Sequence, residues 1–367
     1  MLIYPTIKMS PLLGLQGLGG GLGYLAGGGG AYSGALAIAS EFSPTIFAYP
    51  WTSGSGFGTK YSDPSTIPSS GRATSVAFSP NSSAVAIAGS ASPNVHAWAW
   101  SGSGFGSKYS NPSTLPPDGG RGVAFSPDGS ALGVTHQQEA RMSIYAWSGS
   151  GFGSKYSDPS SQITSAPNFI TWTSTSNAVA VAHGASPYLS VWAWSGSGFG
   201  SKFANPSSLP PAGGWGVAFS PDDSAIAVGV DGSPFVNVYA WSGSGFGSKY
   251  SDPSTLPTSQ GYGVTFNPDG TVFVVCHSGS PYVSAYPWSA SGFGTKYSDP
   301  STLPTGTGKQ ARFTPDGADI AIAHNGDPCI STYAWSSGFG ARYSDPSTTP
   351  TQSGSSGEAY DCAFSPT

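Results

Sequence analysis

The sequence predicts an all-β protein, a seven-bladed β-propeller of four-stranded blades whose ring is closed by the C-terminal strand joining the N-terminal blade. Three observations carry this reading. The run Ala-Trp-Ser-Gly-Ser-Gly-Phe-Gly-Ser-Lys-Tyr-Ser-Asp-Pro is written seven times with small changes, anchored at Trp51, Trp100, Trp147, Trp194, Trp241, Trp288 and Trp335, at a spacing of 49 residues once and 47 residues five times. A fixed period in the forties built from short strands is the pattern of propeller blades. Each period also holds four strand-like segments separated by turn residues. Finally, the chain enters in mid-blade and ends after a first strand, so its two ends together make one blade.

In chain order, the first strand of each unit ends in Ala-Phe-Ser-Pro-Asp or a close variant, marked by Phe78, Phe125, Trp172, Phe219, Phe266, Phe313 and Phe364. The Ser-Pro-Asp-Gly that often follows is a tight-turn signal, since Pro presets φ and Gly accepts a positive one. A short apolar second strand comes next, as in 84–89, 178–183 and 319–324. A loop usually containing Ser-Pro leads to a third strand with aromatics at alternate positions, such as Trp98/Trp100 and Tyr145/Trp147. Alternate residues share a face, so each blade presents a two-ring patch to its neighbour. The Ser-Gly-Ser-Gly turn and the Phe-Gly-Ser-Lys-Tyr run supply the fourth, outer strand, which Asp-Pro or Asn-Pro ends. The segment from Ala35 to Ser40 is a second strand with no first strand before it, and Asp361 to Thr367 is a first strand with nothing after it. Pairing them removes the edge that an open array would expose.

Composition fits one closed array of 367 residues rather than several domains. Charged residues are 8% against a usual share of about 25%, yet aromatics at 13% are too many and too regular for a disordered chain. A net charge of −5 from 13 cations and 18 anions gives no field that would draw in nucleic acid or anionic lipid. Cys276, Cys329 and Cys362 lie in three different repeats without C-x-x-C spacing, which indicates neither a zinc site nor a disulfide framework. No run approaches the roughly 18 apolar residues of a membrane span.

Residues 1–32 stand outside the repeats and form a Leu/Gly-rich head; residues 33–367 form the propeller. Leu12, Leu13, Leu15, Leu18, Leu22 and Leu25 are diluted by glycines that oppose a helix, which argues against a secretory signal. Exposed leucines on a flexible strip need cover, so the head is expected to be an anchor buried against the propeller or another chain. A leader followed by a glycine linker at 27–30 is the other reading.

The Val-Ala-Phe-Ser-Pro-Asp-Gly strand-turn before an aromatic third strand, seen at 123–129, resembles the WD40 and YVTN-type propellers over residues 35–367. The likeness concerns the fold. The tryptophan is followed by Ser or Thr and never Asp, and no Gly-His pair opens a unit, so the buried polar network of that family should be absent or replaced. In the head, Ser10-Pro-Leu-Leu-Gly-Leu-Gln-Gly-Leu-Gly-Gly-Gly resembles short leaders on assorted virion proteins of tailed bacteriophages. That resemblance implies a virion structural protein, a capsid decoration, fibre or tail adsorption module whose head docks on other virion proteins. The displayed propeller would then meet a host surface glycan or protein, outside the cell.

Aligning the repeats exposes columns with chemistry. His136, His183, His277 and His324 share the end of the second strand with Ser40, Gly89 and Val230. A ring of imidazoles could hold a metal or anion, but neighbouring blades are too far apart for several rings to reach one ion, and a strand-end histidine hydrogen-bonded to a loop carbonyl is the simpler reading. Lys60, Lys108, Lys155, Lys202, Lys249, Lys296 and Arg342 form an outer-strand column followed three residues later by Asp or Asn, which fits edge protection. The loops from second to third strand and from blade to blade vary, and both sets fall on one face. There Arg141, Tyr188, Phe235 and Tyr282, with Trp215 placed in a blade-to-blade loop, form the candidate binding platform. Only three Glu occur, and no nucleophile motif or phosphate loop appears, so the expectation is a protein that is not an enzyme and carries no cofactor. A cellular or secreted scaffold is the alternative, and a propeller enzyme of the lactonase or quinone-dependent type a third.

Overall fold

The computed structural model describes residues 31–68, 71–138, 140–350 and 357–366. The six head leucines lie outside these residues. Twenty-eight strands form seven four-stranded antiparallel sheets, and no helix occurs among the described residues. Blade 1 pairs Ala359–Phe364 with Ser33–Ser40, Ile46–Thr52 and Gly56–Phe57, so the chain ends do close the ring as the sequence predicts. Blades 2 to 7 follow in chain order at 73–108, 120–155, 167–202, 214–249, 261–293 and 308–342. Their first strands run innermost, each beside the next, around a central channel.

The core lies between blades. The second aromatic of each third strand is wedged among three rings: Trp147 meets Phe125 and Phe152 of its own blade and Tyr109 of the preceding one, at centroid distances of 5.0, 5.1 and 5.2 Å, all edge to face. Such pairs add to the burial of the rings themselves. The first aromatic is fully buried, and in most blades it reaches back with its polar tip: Tyr145 and Tyr286 each donate to a carbonyl of the inter-blade loop, Thr114 and Thr255, at 2.8 Å, and Trp98 Nε1 donates to Thr66 at 3.2 Å, whereas the Tyr239 hydroxyl is left without a partner. Pro50 and Pro287 replace the alanine of other third strands and bring no N–H to the ladder. The facing outer strands shrink to two residues, Gly56–Phe57 and Gly292–Phe293.

Every innermost strand carries a register shift near its start. Gly214 faces Val230, but the next pair is Val217 with Val228; Ala73 faces Gly89, and Ser75 then faces Ala88. The extra residue is left out of the ladder, which is how a bulge re-aims a side chain. The seven residues at this place are Thr74, Arg121, Asn168, Trp215, Tyr262, Lys309 and Tyr360.

Candidate functional site

These bulge residues ring one mouth of the channel, each half-buried. With Arg72, Phe169 and the glycines 216 and 263 they line a cavity of about 110 Å³. Glycine is required beside them. A Cβ on Gly263 would lie 2.3 Å from Gln310 Oε1 and 2.5 Å from the Lys309 carbonyl, and one on Gly216 would lie 2.5 Å from the Tyr262 carbonyl. The close approach of neighbouring inner strands is what gathers seven side chains of six kinds at one opening.

The ring of side chains is polarised. On one arc, across blades 7, 1, 2 and 3, stand Lys309, Tyr360, Arg72 and Arg121. Lys309 Nζ lies 2.6 Å from Glu358 Oε1 and 4.6 Å from the centre of the Tyr262 ring. Arg72 donates to the Tyr360 hydroxyl at 3.3 Å and lies over the same ring at 5.3 Å. Arg121 donates to Asn168 Oδ1 at 3.5 Å; with its amide turned so that oxygen faces the guanidinium, Gln137 accepts from Arg121 Nε at 3.1 Å and Nη2 at 2.6 Å. Among the described residues neither Arg72 nor Arg121 has a carboxylate within ion-pair distance. Burial, and then the like charge of Arg72, pull Arg121 below its ordinary pKa. Burial and then the Glu358 carboxylate push the Tyr360 hydroxyl up, so it stays protonated. Both arginines thus present charge that an anion would satisfy.

The opposite arc is aromatic. Trp215 and Tyr262 meet at 5.1 Å and 65°. Trp215 Nε1 donates to Asp231 Oδ1 at 2.5 Å, Gln260 Nε2 donates to the same oxygen, and the Tyr262 hydroxyl donates to Gln260 Oε1 at 3.2 Å. Deeper in the channel, Arg312 lies 3.7 Å from the fully buried Asp361, which accepts from Ser75 Oγ at 2.8 Å and Val76 N at 3.2 Å. This carboxylate ties three innermost strands at the ring closure.

Trp215 is therefore on an innermost strand, Gly214–Phe219, and not in a blade-to-blade loop. The bulge is invisible in a strand's alternation, so alternation alone places the start of this strand too late. Arg141, Tyr188, Phe235 and Tyr282 do sit in the second-to-third-strand loops, with φ between 58 and 71°. None of them lines the channel cavity. Their carbonyls turn inward: that of Tyr188 accepts from His183 N at 2.9 Å and lies where a Cβ on Gly214 would meet it at 2.4 Å.

The histidine column is buried. His136, His183, His277 and His324 each hold Nε2 at 3.0 Å from a third-strand serine, Ser143, Ser190, Ser284 and Ser331. The strand-end histidines thus bond mainly to a side chain across the hairpin rather than to a loop carbonyl, because the seventh residue on pairs with the residue two before the histidine and lies diagonally across from it; His324 Nδ1 also faces the Asn325 carbonyl at 3.1 Å. No group of three or more His, Cys, Asp or Glu among the described residues is arranged to hold a metal. In the outer column Lys60, Lys155, Lys249 and Lys296 pair with Asp63, Asp158, Asp252 and Asp299, and Arg342 with Asp345 at 2.5 Å. That charge is neutralised locally.

No known family profile matches the chain, and no curated protein matches it in sequence. Solved structures do. The periplasmic gluconolactonase of Pseudomonas aeruginosa superposes with a TM-score of 0.67 at 14% identity, covering 91% of this chain and 99% of that one. A putative 6-phosphogluconolactonase from Bacteroides fragilis gives 0.65 at 10%, covering 90% and 98%. A functionally unknown protein from Desulfotomaculum acetoxidans gives 0.65 at 11%, covering 91% and 99%. These likenesses show the propeller. Where they carry a functional name it is a lactonase, which corrects three expectations: the virion decoration, fibre or adsorption module, the partner-binding scaffold, and the absence of enzyme chemistry. The physical reason lies in the channel. Local motifs do not reveal polar groups that only the ring brings together, as it does Lys309, Glu358, Arg72 and Arg121 from four blades.

Proposed function

We propose that the chain is a lactone hydrolase acting at the channel mouth on a small, hydroxylated, anionic lactone. The observation that carries this is the pair of guanidiniums, Arg72 and Arg121, aimed at the cavity without a carboxylate partner among the described residues, beside a lysine, a glutamate and a tyrosine. The fold it shares with propellers named gluconolactonase supports the reading.

The chemistry needs a base, a place for negative charge and a proton for the leaving oxygen. Glu358, between Lys309 and Tyr360, takes a proton from water as its oxygen adds to the lactone carbonyl carbon. Lys309 and the guanidiniums stabilise the oxyanion that forms. The ring C–O bond then breaks, the ring oxygen leaves as a hydroxyl with the proton returned from Glu358, and the product is the open hydroxy acid. Asn168, held by its Nδ2 to the Gly214 carbonyl at 2.7 Å, offers its oxygen to Arg121 and orients it.

The test is base consumption at constant pH with glucono-1,5-lactone and its 6-phosphate, at mildly acidic pH where spontaneous opening is slow. Wild-type protein should accelerate opening of at least one of them, Glu358→Gln should lower kcat about 100-fold or more, and Arg121→Met should act mainly on KM. Opening no faster than in buffer at micromolar protein would overturn the assignment.

A further inference from the structure

Resting on that reading of the site, we propose that Trp215 and Tyr262 form a ring-stacking subsite which selects ligands with a saturated, six-membered sugar-type ring, and that Asp231 and Gln260 are its positioning residues. The two rings meet edge to face at 65°, so they form a corner and not a parallel slot. A planar base fills a slot between parallel faces; a puckered ring, with C–H bonds on one side and hydroxyls at its rim, fits two walls set at an angle.

The corner is held from behind. Asp231 Oδ1 accepts from both Trp215 Nε1 and Gln260 Nε2, and Gln260 Oε1 in turn accepts from Tyr262. This chain uses the polar tips of both rings and so fixes their rotation, leaving for contact the ring surface that Lys309 does not cover. It reaches across two blades: Trp215 and Asp231 belong to blade 5, Tyr262 to blade 6, and Gln260 stands just before the strand that carries Tyr262. Lys309 lies over Tyr262 on the side toward the cationic arc. A ligand with its ring in this corner therefore directs a substituent toward Arg72 and Arg121, across the cavity that all five residues line. Neither arc alone would give a ligand one orientation.

The test separates ring from anion with two phosphate esters that are not lactones. Glucose 6-phosphate carries a pyranose ring; sorbitol 6-phosphate is its open-chain counterpart. Calorimetric titration of the full-length protein should show the cyclic ester bound about tenfold or more tightly, and Trp215→Ala should remove that preference while leaving the open-chain Kd within about twofold. Tyr262→Leu serves as a second variant should Trp215→Ala not fold. Asp231→Ala should weaken the cyclic ester three- to tenfold, and Asp231→Asn, which keeps an acceptor oxygen, should restore it. For the lactone that turns over, the same Asp231→Ala change should raise KM with kcat nearly constant. Equal affinity for the two esters, no binding of either, or a ring preference that survives in Trp215→Ala would overturn the subsite. A ring preference without lactone turnover would retire the hydrolase reading and leave the subsite standing.

Discussion

Acidification should unfold this protein through its histidines before its carboxylates. All five, His96, His136, His183, His277 and His324, are at most 5% exposed, and burial holds each at a pKa of about 4 against an ordinary value of 6.5. The folded state therefore binds fewer protons than the unfolded chain between those two values. Stability from this source is complete above pH 6.5 and is lost as pH falls toward 4. At pH 5 each imidazole costs about 2 kcal/mol, so the five together cost roughly 10 kcal/mol, which is comparable to the whole stability of a typical domain. The carboxylates act lower. Asp128, Asp222 and Asp316 sit below their ordinary pKa because serine or threonine hydroxyls and backbone N–H groups outweigh the opposing effect of burial, so their contribution is lost only below about pH 4. Asp361 has the opposite sign, its pKa raised by burial, and gains slightly as acid protonates it. Urea unfolding followed by tryptophan fluorescence, at steps from pH 7.5 to 4.5, measures the slope. His136→Gln should remove about one fifth of it. Stability that is flat from pH 7 to 5, or a slope the substitution leaves unchanged, would refute the reasoning.

Two further outcomes follow from packing. Gly263→Ala should cost about 1–3 kcal/mol, because the new methyl meets backbone and side chain of the next inner strand at 2.3 to 2.5 Å, and it should weaken ligand binding by shifting Lys309; thermal unfolding and titration check both. Trp147→Ala opens a void among Tyr109, Phe125 and Phe152 and should cost about 3–5 kcal/mol by urea unfolding, with the channel residues of the distant blades unaffected.

The fold was legible because every blade is written alike. The second strands 84–89, 178–183 and 319–324 read from the sequence match those observed, since unbroken apolar runs between turn residues admit little else. The ring closure was legible from half-blades at the ends. The site was not, and the reason is the bulge. Strand alternation places residues on faces only while the ladder is regular, and the register shift after Gly120, Pro167, Gly214 and Gly261 breaks that rule at the residues that matter. A signal was nonetheless present. Thr74, Arg121, Asn168, Trp215, Tyr262 and Lys309 are spaced by 47 residues, and no two are alike in a chain whose other columns nearly repeat. Tyr188, Phe235 and Tyr282, the variable loop aromatics, stand in a loop that also has a constant part. The fixed part of that loop is the carbonyl aimed at the next blade's glycine, which leaves the side chain free to differ.

A ring of like blades has a specific difficulty as a binding device: its symmetry presents the same group seven times, while a sugar-like ligand has seven-fold symmetry nowhere. Asymmetry has to enter where it does not disturb packing. Core positions cannot supply it, because the second aromatic of each third strand must fit its neighbouring rings, as Trp147 fits three. The outer column cannot, because its Lys–Asp pairs look away from the channel and neutralise each other. A bulge residue is free of both demands, being outside the ladder and facing the opening. Lower down, the channel wall is mostly small, with Ala77, Ala124, Ala218 and Ala363 at corresponding places and Arg312 the exception. Arg312 lies beside buried Asp361, so the one large charge at that level is engaged in holding the ring together. Variety of side chains is thus concentrated at the mouth, where a cationic arc and an aromatic corner face each other across about 110 Å³. That opposition gives an otherwise repetitive ring the means to hold an unsymmetrical ligand in a single orientation.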